Sequence, residues 1–326
     1  MSDKTGIEWC DSTWNPVTGC SKVSEGCRNC YAKTFTERFE GTPGHYFEAG
    51  FKVTLRPEKL GQPLRWKRPR KIFVNSMSDL FHPDVPDDYI DQVFYVMAIA
   101  RQHTYQILTK RPERMRDWIL QHGWIMSEFP HVWLGVSVEN QQAADERIPP
   151  LLQIPAVVRF LSCEPLLGPV DLNAVPRPDN AYFMQRGEQG CITDPKEPDD
   201  YVYWHKRDQI HWVIVGGESG HNARPMHPDW ARSLRDQCQS AGVPFLFKQW
   251  GEWVPTNAEK DTGVYVPGVF PGDVCMSPNG ECDVAPENYI CFFNETEGTT
   301  MRKIGKKKAG RLLDGRTWDE FPEVKS

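Results

Sequence analysis

Seven short apolar runs punctuate the chain, at residues 51–55 (FKVTL), 71–76 (KIFVNS), 104–109 (TYQILT), 131–138 (HVWLGVSV), 157–162 (VVRFLS), 211–217 (HWVIVGG) and 243–248 (VPFLFK). They are rich in β-branched and aromatic residues and nearly continuous rather than alternating. That is the pattern of parallel strands covered on both faces. Helical spacing fills several of the gaps between them. Over 87–102, Tyr89, Val93, Val96, Met97 and Ala100 recur on one face of a 3.6-residue period. Pro112 suits the first turn of a second helix whose apolar stripe is Met115, Trp118 and Ile119. Pro228 opens a third, and Gly242 is its stop signal.

Strand, helix, strand, repeated, predicts an α/β fold with parallel strands. A βα barrel, TIM-like and complete or partial, is preferred over a doubly wound sheet. Two segments interrupt the order. Residues 173–210 are rich in Pro, Gly and charge and read as an inserted excursion or lid. Beyond Trp253 the pattern dissolves into a small irregular β-rich appendage. The expected organisation is therefore a barrel-like catalytic domain over 1–253, with a C-terminal extension, 254–326, packed on it.

Residues just after each strand of a parallel βα fold share one rim, where ligands bind. Those positions hold Asn75, Ser76 and Asp79, then Lys110, then Ser137, Glu139 and Asn140. Cys163 and Glu164 follow, then Gly216, Gly217 and Glu218, and finally Lys248 and Gln249. Loops are polar by default, but six strands delivering polar groups to one rim predict a polar ligand site.

Composition adds constraints. No run of about eighteen apolar residues is present, so no membrane span is expected. The first residues lack the basic-then-apolar signal pattern, which places the protein in the cytoplasm. Thiols stay reduced there, so ten cysteines point to metal or chemistry rather than disulfides. Three of them, Cys20, Cys27 and Cys30, fall within eleven positions just before a stretch that reads as a helix from Tyr31 to about Phe39. Three thiolates suit either a [4Fe–4S] cluster with one iron left open or zinc with a fourth ligand, for which Cys10 and His45 are candidates. Cys275, Cys282 and Cys291 are a weaker second set.

A three-cysteine loop before a helix, in a βα fold, resembles the radical S-adenosylmethionine enzymes. The segment VIVGGESG is similar to their Gly-Gly-Glu element, which contacts the cofactor's amino group. The first cysteine gap here is six residues instead of three, and Asn29 stands where an aromatic residue usually precedes the last cysteine. More narrowly the chain resembles a phage and prophage family of unknown function defined by a three-cysteine motif. That likeness rests on TWNPVTGCSKVSEGCRNCYA, IFVNSMSDLFH, LTKRPERM, VWLGVSVEN, RFLSCEPLLGPV, VIVGGESG, FKQWGEW and KKKAGRLLDGRTWDEFP.

The resemblance implies an iron–sulfur enzyme that cleaves S-adenosylmethionine reductively to a 5′-deoxyadenosyl radical. It implies a flavodoxin or ferredoxin as electron donor. Cys20, Cys27 and Cys30 would be the cluster ligands, and Asn75, Ser76, Asp79, Ser137, Glu139, Asn140, Gly216, Gly217 and Glu218 would hold the cofactor. Glu164, Lys110 and Cys163 are the catalytic candidates, Cys163 as a hydrogen-atom donor. The alternative from another class is a non-catalytic, zinc-stabilised nucleic-acid-binding protein.

The net charge of −6 argues against a protein that coats nucleic acid. Local basic stretches at 65–71 (with Trp66 among them), 110–116 and 302–311 nevertheless suit phosphate contacts and base stacking. DNA or RNA is accordingly an expected substrate, and small molecules or peptides remain open.

Overall fold

Six of the seven apolar runs are strands of one parallel sheet in the computed structural model, which describes residues 5–124, 126–176, 210–255, 289–293 and 298–323. They are β4 (Lys71–Val74), β5 (Thr104–Thr109), β6 (Val132–Ser137), β7 (Arg159–Cys163), β8 (Trp212–Gly216) and β9 (Phe245–Gln249). A seventh strand, β1 (Ser12–Trp14), pairs parallel with β4, so the order is β1-β4-β5-β6-β7-β8-β9. The sheet curls into a half-barrel but does not close, because β1 and β9 are its two edges. This half-barrel is consistent with the partial form of the expected βα barrel.

The seventh apolar run behaves differently. Only β3 (Thr54–Leu55) forms from FKVTL, and it pairs antiparallel with β2 (Val17–Thr18), outside the main sheet. The C-terminal strands β10 (Trp253–Pro255), β11 (Tyr289–Phe293) and β12 (Gly298–Lys303) make a small antiparallel sheet.

Helices α3 (Asp87–Ile99), α4 (Pro112–Gln121), α5 (Gln141–Leu152) and α6 (Pro228–Ala241) alternate with the strands. They are joined by three one-turn pieces, α1 (Tyr31–Thr36), α2 (Pro57–Leu60) and α7 (Lys306–Ala309). The stripes read from periodicity are the buried ones: Tyr89, Val93, Val96 and Met97 in α3, and Met115, Trp118 and Ile119 in α4. Gly242 ends α6 in the left-handed conformation, φ 67°.

Alternation along the strands separates two cores. One face packs Ile72, Val74, Tyr105, Ile107, Leu134, Val136, Leu161 and Val213 against the helices. The other face carries Phe73, Trp133, Phe160, Trp212, Ile214 and Leu246. Trp9, from the N-terminal segment, fills that second face, with its ring 4.6 Å from Phe73 and 6.2 Å from Trp212. The open edge of β9 is covered by the C-terminal segment: Phe247 N–H donates to the Trp318 carbonyl at 3.0 Å. Residues 311–323 are therefore part of the same packed body, with Leu313 and Trp318 in the main core.

Of the predicted 173–210 excursion, residues 177–209 lie outside the described residues, as do Cys275 and Cys282 and the side chain of Cys291. Among the described residues no helix is long and apolar enough to cross a membrane.

Candidate active site

The carboxyl ends of the strands open into a cavity of about 470 Å³, and the loop carrying Cys20, Cys27 and Cys30 forms part of its wall. Asn75, Ser76 and Asp79 line it after β4, and Lys110 after β5. Ser137, Glu164, Gly217 and Glu218 contribute from the next three strands, and Lys248 and Gln249 from β9. The strand-end crown read from the sequence is thus assembled in one place. Its floor is apolar, built by Trp9, Phe73 and Leu108.

The cysteine loop is held to the rim by buried carboxylate–guanidinium pairs. After β4, Asp79 pairs with Arg111 at 2.9 Å. Arg111 reaches the loop, donating to the Ser21 carbonyl at 3.1 Å and lying 3.5 Å from the Cys20 sulfur. After β6, Glu139 is gripped by both nitrogens of Arg147 at 2.7 and 3.2 Å and accepts the hydroxyl of Ser24. A Cβ at Gly26 would lie 2.9 Å from this fixed carboxylate, so the loop needs glycine there. After β8, Glu218 is bound by the Arg224 side chain at 2.6 and 2.9 Å and accepts the Asn29 amide at 2.9 Å. Arg224 also donates to the Glu25 carbonyl at 2.9 Å.

These contacts set the charge states. Burial pushes the Glu139 carboxyl up, but Lys110 and Arg147 outweigh it and hold it below the usual range. Glu218 is likewise lowered, because hydrogen bonds from Arg224 and Asn29 outweigh its burial. Burial, then Asp79, pushes the Cys20 thiol up to about 11 against the opposing pull of Arg111.

Several predicted residues have their polar atoms committed elsewhere. Asp79 accepts from Thr109 Oγ1 at 2.8 Å, from the Phe81 N–H at 3.0 Å and from the Lys110 N–H at 3.1 Å, besides Arg111. Asn140 is the N-cap of α5, its Oδ1 accepting from the Ala143 N–H at 2.9 Å. It is not on the cavity wall. Gly216 packs against the Glu164 side chain, whereas Gly217 is fixed by close approach: a Cβ there would lie 1.9 Å from the Trp250 carbonyl.

Cys163 is corrected as a catalytic candidate. It packs in the helix-side core, fully buried, and is turned away from the cavity, where burial drives its thiol strongly up. A period of two explains this, since its neighbours Ser162 and Glu164 face the cavity.

Glu164 and Lys110 do face it. Lys248 Nζ donates to both Glu164 oxygens at 2.8 Å, and Gln249 Nε2 donates to one of them at 2.8 Å.

Neither candidate for a fourth thiol-site ligand lines the cavity. Cys10 lies in the inner-face core, off the cavity wall, its thiol pushed up to about 12 mainly by burial. His45 stacks on Phe39 at 4.0 Å and accepts the Phe47 N–H with Nδ1. Among the described residues no three His, Cys, Asp or Glu side chains converge closely enough to hold a single metal ion.

Some cations in two of the basic stretches are already engaged within the fold. Trp66 is buried, with Arg70 stacked on it at 4.7 Å, so it offers no face to a base. In the second stretch, Arg111 is paired with Asp79, Arg114 with Asp87 and Arg116 with Asp117. Guanidinium groups already neutralised give little attraction to a phosphate backbone.

A family model described as "Protein of unknown function (DUF5131)" matches residues 4–322. The chain belongs to this family. No curated protein and no solved structure matches the chain. Sequence reasoning missed Arg147, Arg224 and Asn29, which position the loop. Arg147 does carry a signal, because it shares the buried face of α5 with Ala144, Ile148 and Leu151. Arg224 and Asn29 carry none.

Proposed function

We propose that the chain is an iron–sulfur enzyme of the radical S-adenosylmethionine type, with Cys20, Cys27 and Cys30 holding a [4Fe–4S] cluster at the cavity wall. The observation that carries this reading is the placement of the three thiols on the same cavity as the strand-end polar residues, with neither Cys10 nor His45 on its wall.

When bound, the cluster supplies the single electron that reductive cleavage of S-adenosylmethionine requires. The chain's own residues do the positioning. Arg111 sets a positive charge beside the Cys20 sulfur. Glu139 and Glu218, each neutralised by its arginine, fix the loop. With Asp79 saturated, hydrogen bonding to the cofactor falls to Asn75, Ser76 and Ser137, and substrate contacts to Glu164 and Lys110. The apolar floor of Trp9, Phe73 and Leu108 offers a non-polar surface to the reacting part of the substrate. A one-electron donor such as a flavodoxin or ferredoxin is the partner this reading requires.

Reduced protein supplied with S-adenosylmethionine should release 5′-deoxyadenosine slowly without added substrate, and Cys27→Ala should not. Equal release by the two proteins, or none from an iron-loaded wild type, would overturn the proposal.

A further inference from the structure

Charge on the cavity wall is unbalanced in a chain that is acidic as a whole. Each rim carboxylate has its own cation: Asp79 has Arg111, Glu139 has Arg147, Glu218 has Arg224 and Glu164 has Lys248. Lys110 and Lys306 also line the cavity, and among the described residues neither ammonium has a carboxylate within ion-pair distance. A wall with surplus cations complements an acceptor-rich anion. Trp9, Tyr31, Phe51 and Phe73 add aromatic surface to the same space, and about 470 Å³ is enough for a ring-bearing ligand.

We propose that this cavity takes a phosphate ester of the nucleotide class, either free or within a strand, and that Lys110 receives its phosphate. The inference names a substrate class for the enzyme proposed above and so rests on that reading. Lys110 suits the role because its backbone N–H is fixed on Asp79 at 3.1 Å while its ammonium has no ion-pair partner among the described residues and acts on Glu139 only at longer range. Lysine serves phosphate as a point charge, whereas the four committed cations cannot be withdrawn without stranding a carboxylate.

The test is equilibrium binding of the four ribonucleoside 5′-monophosphates, the matching nucleosides and a single-stranded dinucleotide, to wild type and Lys110→Met. At least one phosphorylated probe should bind tenfold or more tightly than its nucleoside, with an affinity that falls as salt rises. Lys110→Met should remove that preference, bringing the affinity of the phosphorylated probe down to that of its nucleoside. A tighter dinucleotide would identify a strand as the source, and a tighter monophosphate a free nucleotide. No preference for phosphate, or a preference that survives Lys110→Met, would overturn the inference. The readout is binding rather than turnover, so it fails or succeeds independently of the iron–sulfur reading.

Discussion

At the residue scale, side-chain chemistry at strand ends was legible in the sequence, but side-chain direction was legible only to one residue. Cys163 and Glu164 are adjacent in sequence and sit on opposite faces of the sheet. Burial also sets charges that composition does not reveal. His211, beside the start of β8, accepts the Arg159 N–H with Nδ1 at 3.1 Å and is pushed down to about 4, mainly by burial, with Arg159 adding to it. Its folded-state value lies below the ordinary histidine value near 6.5. Above that pH both folded and unfolded forms are neutral and its contribution is intact. Between about 6.5 and 4 the unfolded chain takes up a proton that the folded chain refuses, so stability falls, by at most about 3 kcal/mol. Urea midpoints across this window should drop, and His211→Asn, which keeps an acceptor without a titrating group, should flatten the slope. The same slope in the variant would assign the acid sensitivity to other groups.

At the element scale, strands and long helices follow from periodicity, while two features do not. Strand β1 has three residues, too few for a hydrophobic signal, yet it takes the sheet edge that FKVTL was expected to supply. Helix α5 carries Pro149 and Pro150 in its interior, which breaks the helical pattern in sequence, although Asn140 caps it and its buried face is intact. The attachment of the cysteine loop is equally hidden, because its partners are some 90 to 200 positions away in sequence. The Glu139–Arg147 pair is the most enclosed of the three, with side chains 2% and 6% exposed. Removing only the guanidinium, as in Arg147→Met, strands a buried carboxylate and should cost about 3–5 kcal/mol. Adding Glu139→Gln should recover a large part of that loss. Hydrogen exchange of residues 20–30 should speed up in the single variant more than in the strands. A stability loss under about 1 kcal/mol would show that water reaches this carboxylate, contrary to the enclosed ion pair described here.

At the scale of the whole molecule, the parallel α/β class and a single ligand-facing rim could be read from the sequence, and the failure of the sheet to close could not. Closure depends on whether the edge strands meet. Here the N-terminal Trp9 fills the inner face and the 318–320 segment covers β9. The resulting cavity, with three cysteines and the strand-end polar residues on one wall, is the basis of the functional reading. The most direct measurement is the iron, sulfide and zinc content and absorption spectrum of anaerobically purified wild type beside the Cys20, Cys27, Cys30 and Cys10 alanine variants. The account predicts iron and sulfide in roughly equal amounts with a broad band near about 400 nm in wild type and Cys10→Ala, and their loss in each of the other three. A colourless wild type carrying one zinc per chain, or loss of iron in Cys10→Ala, would contradict it.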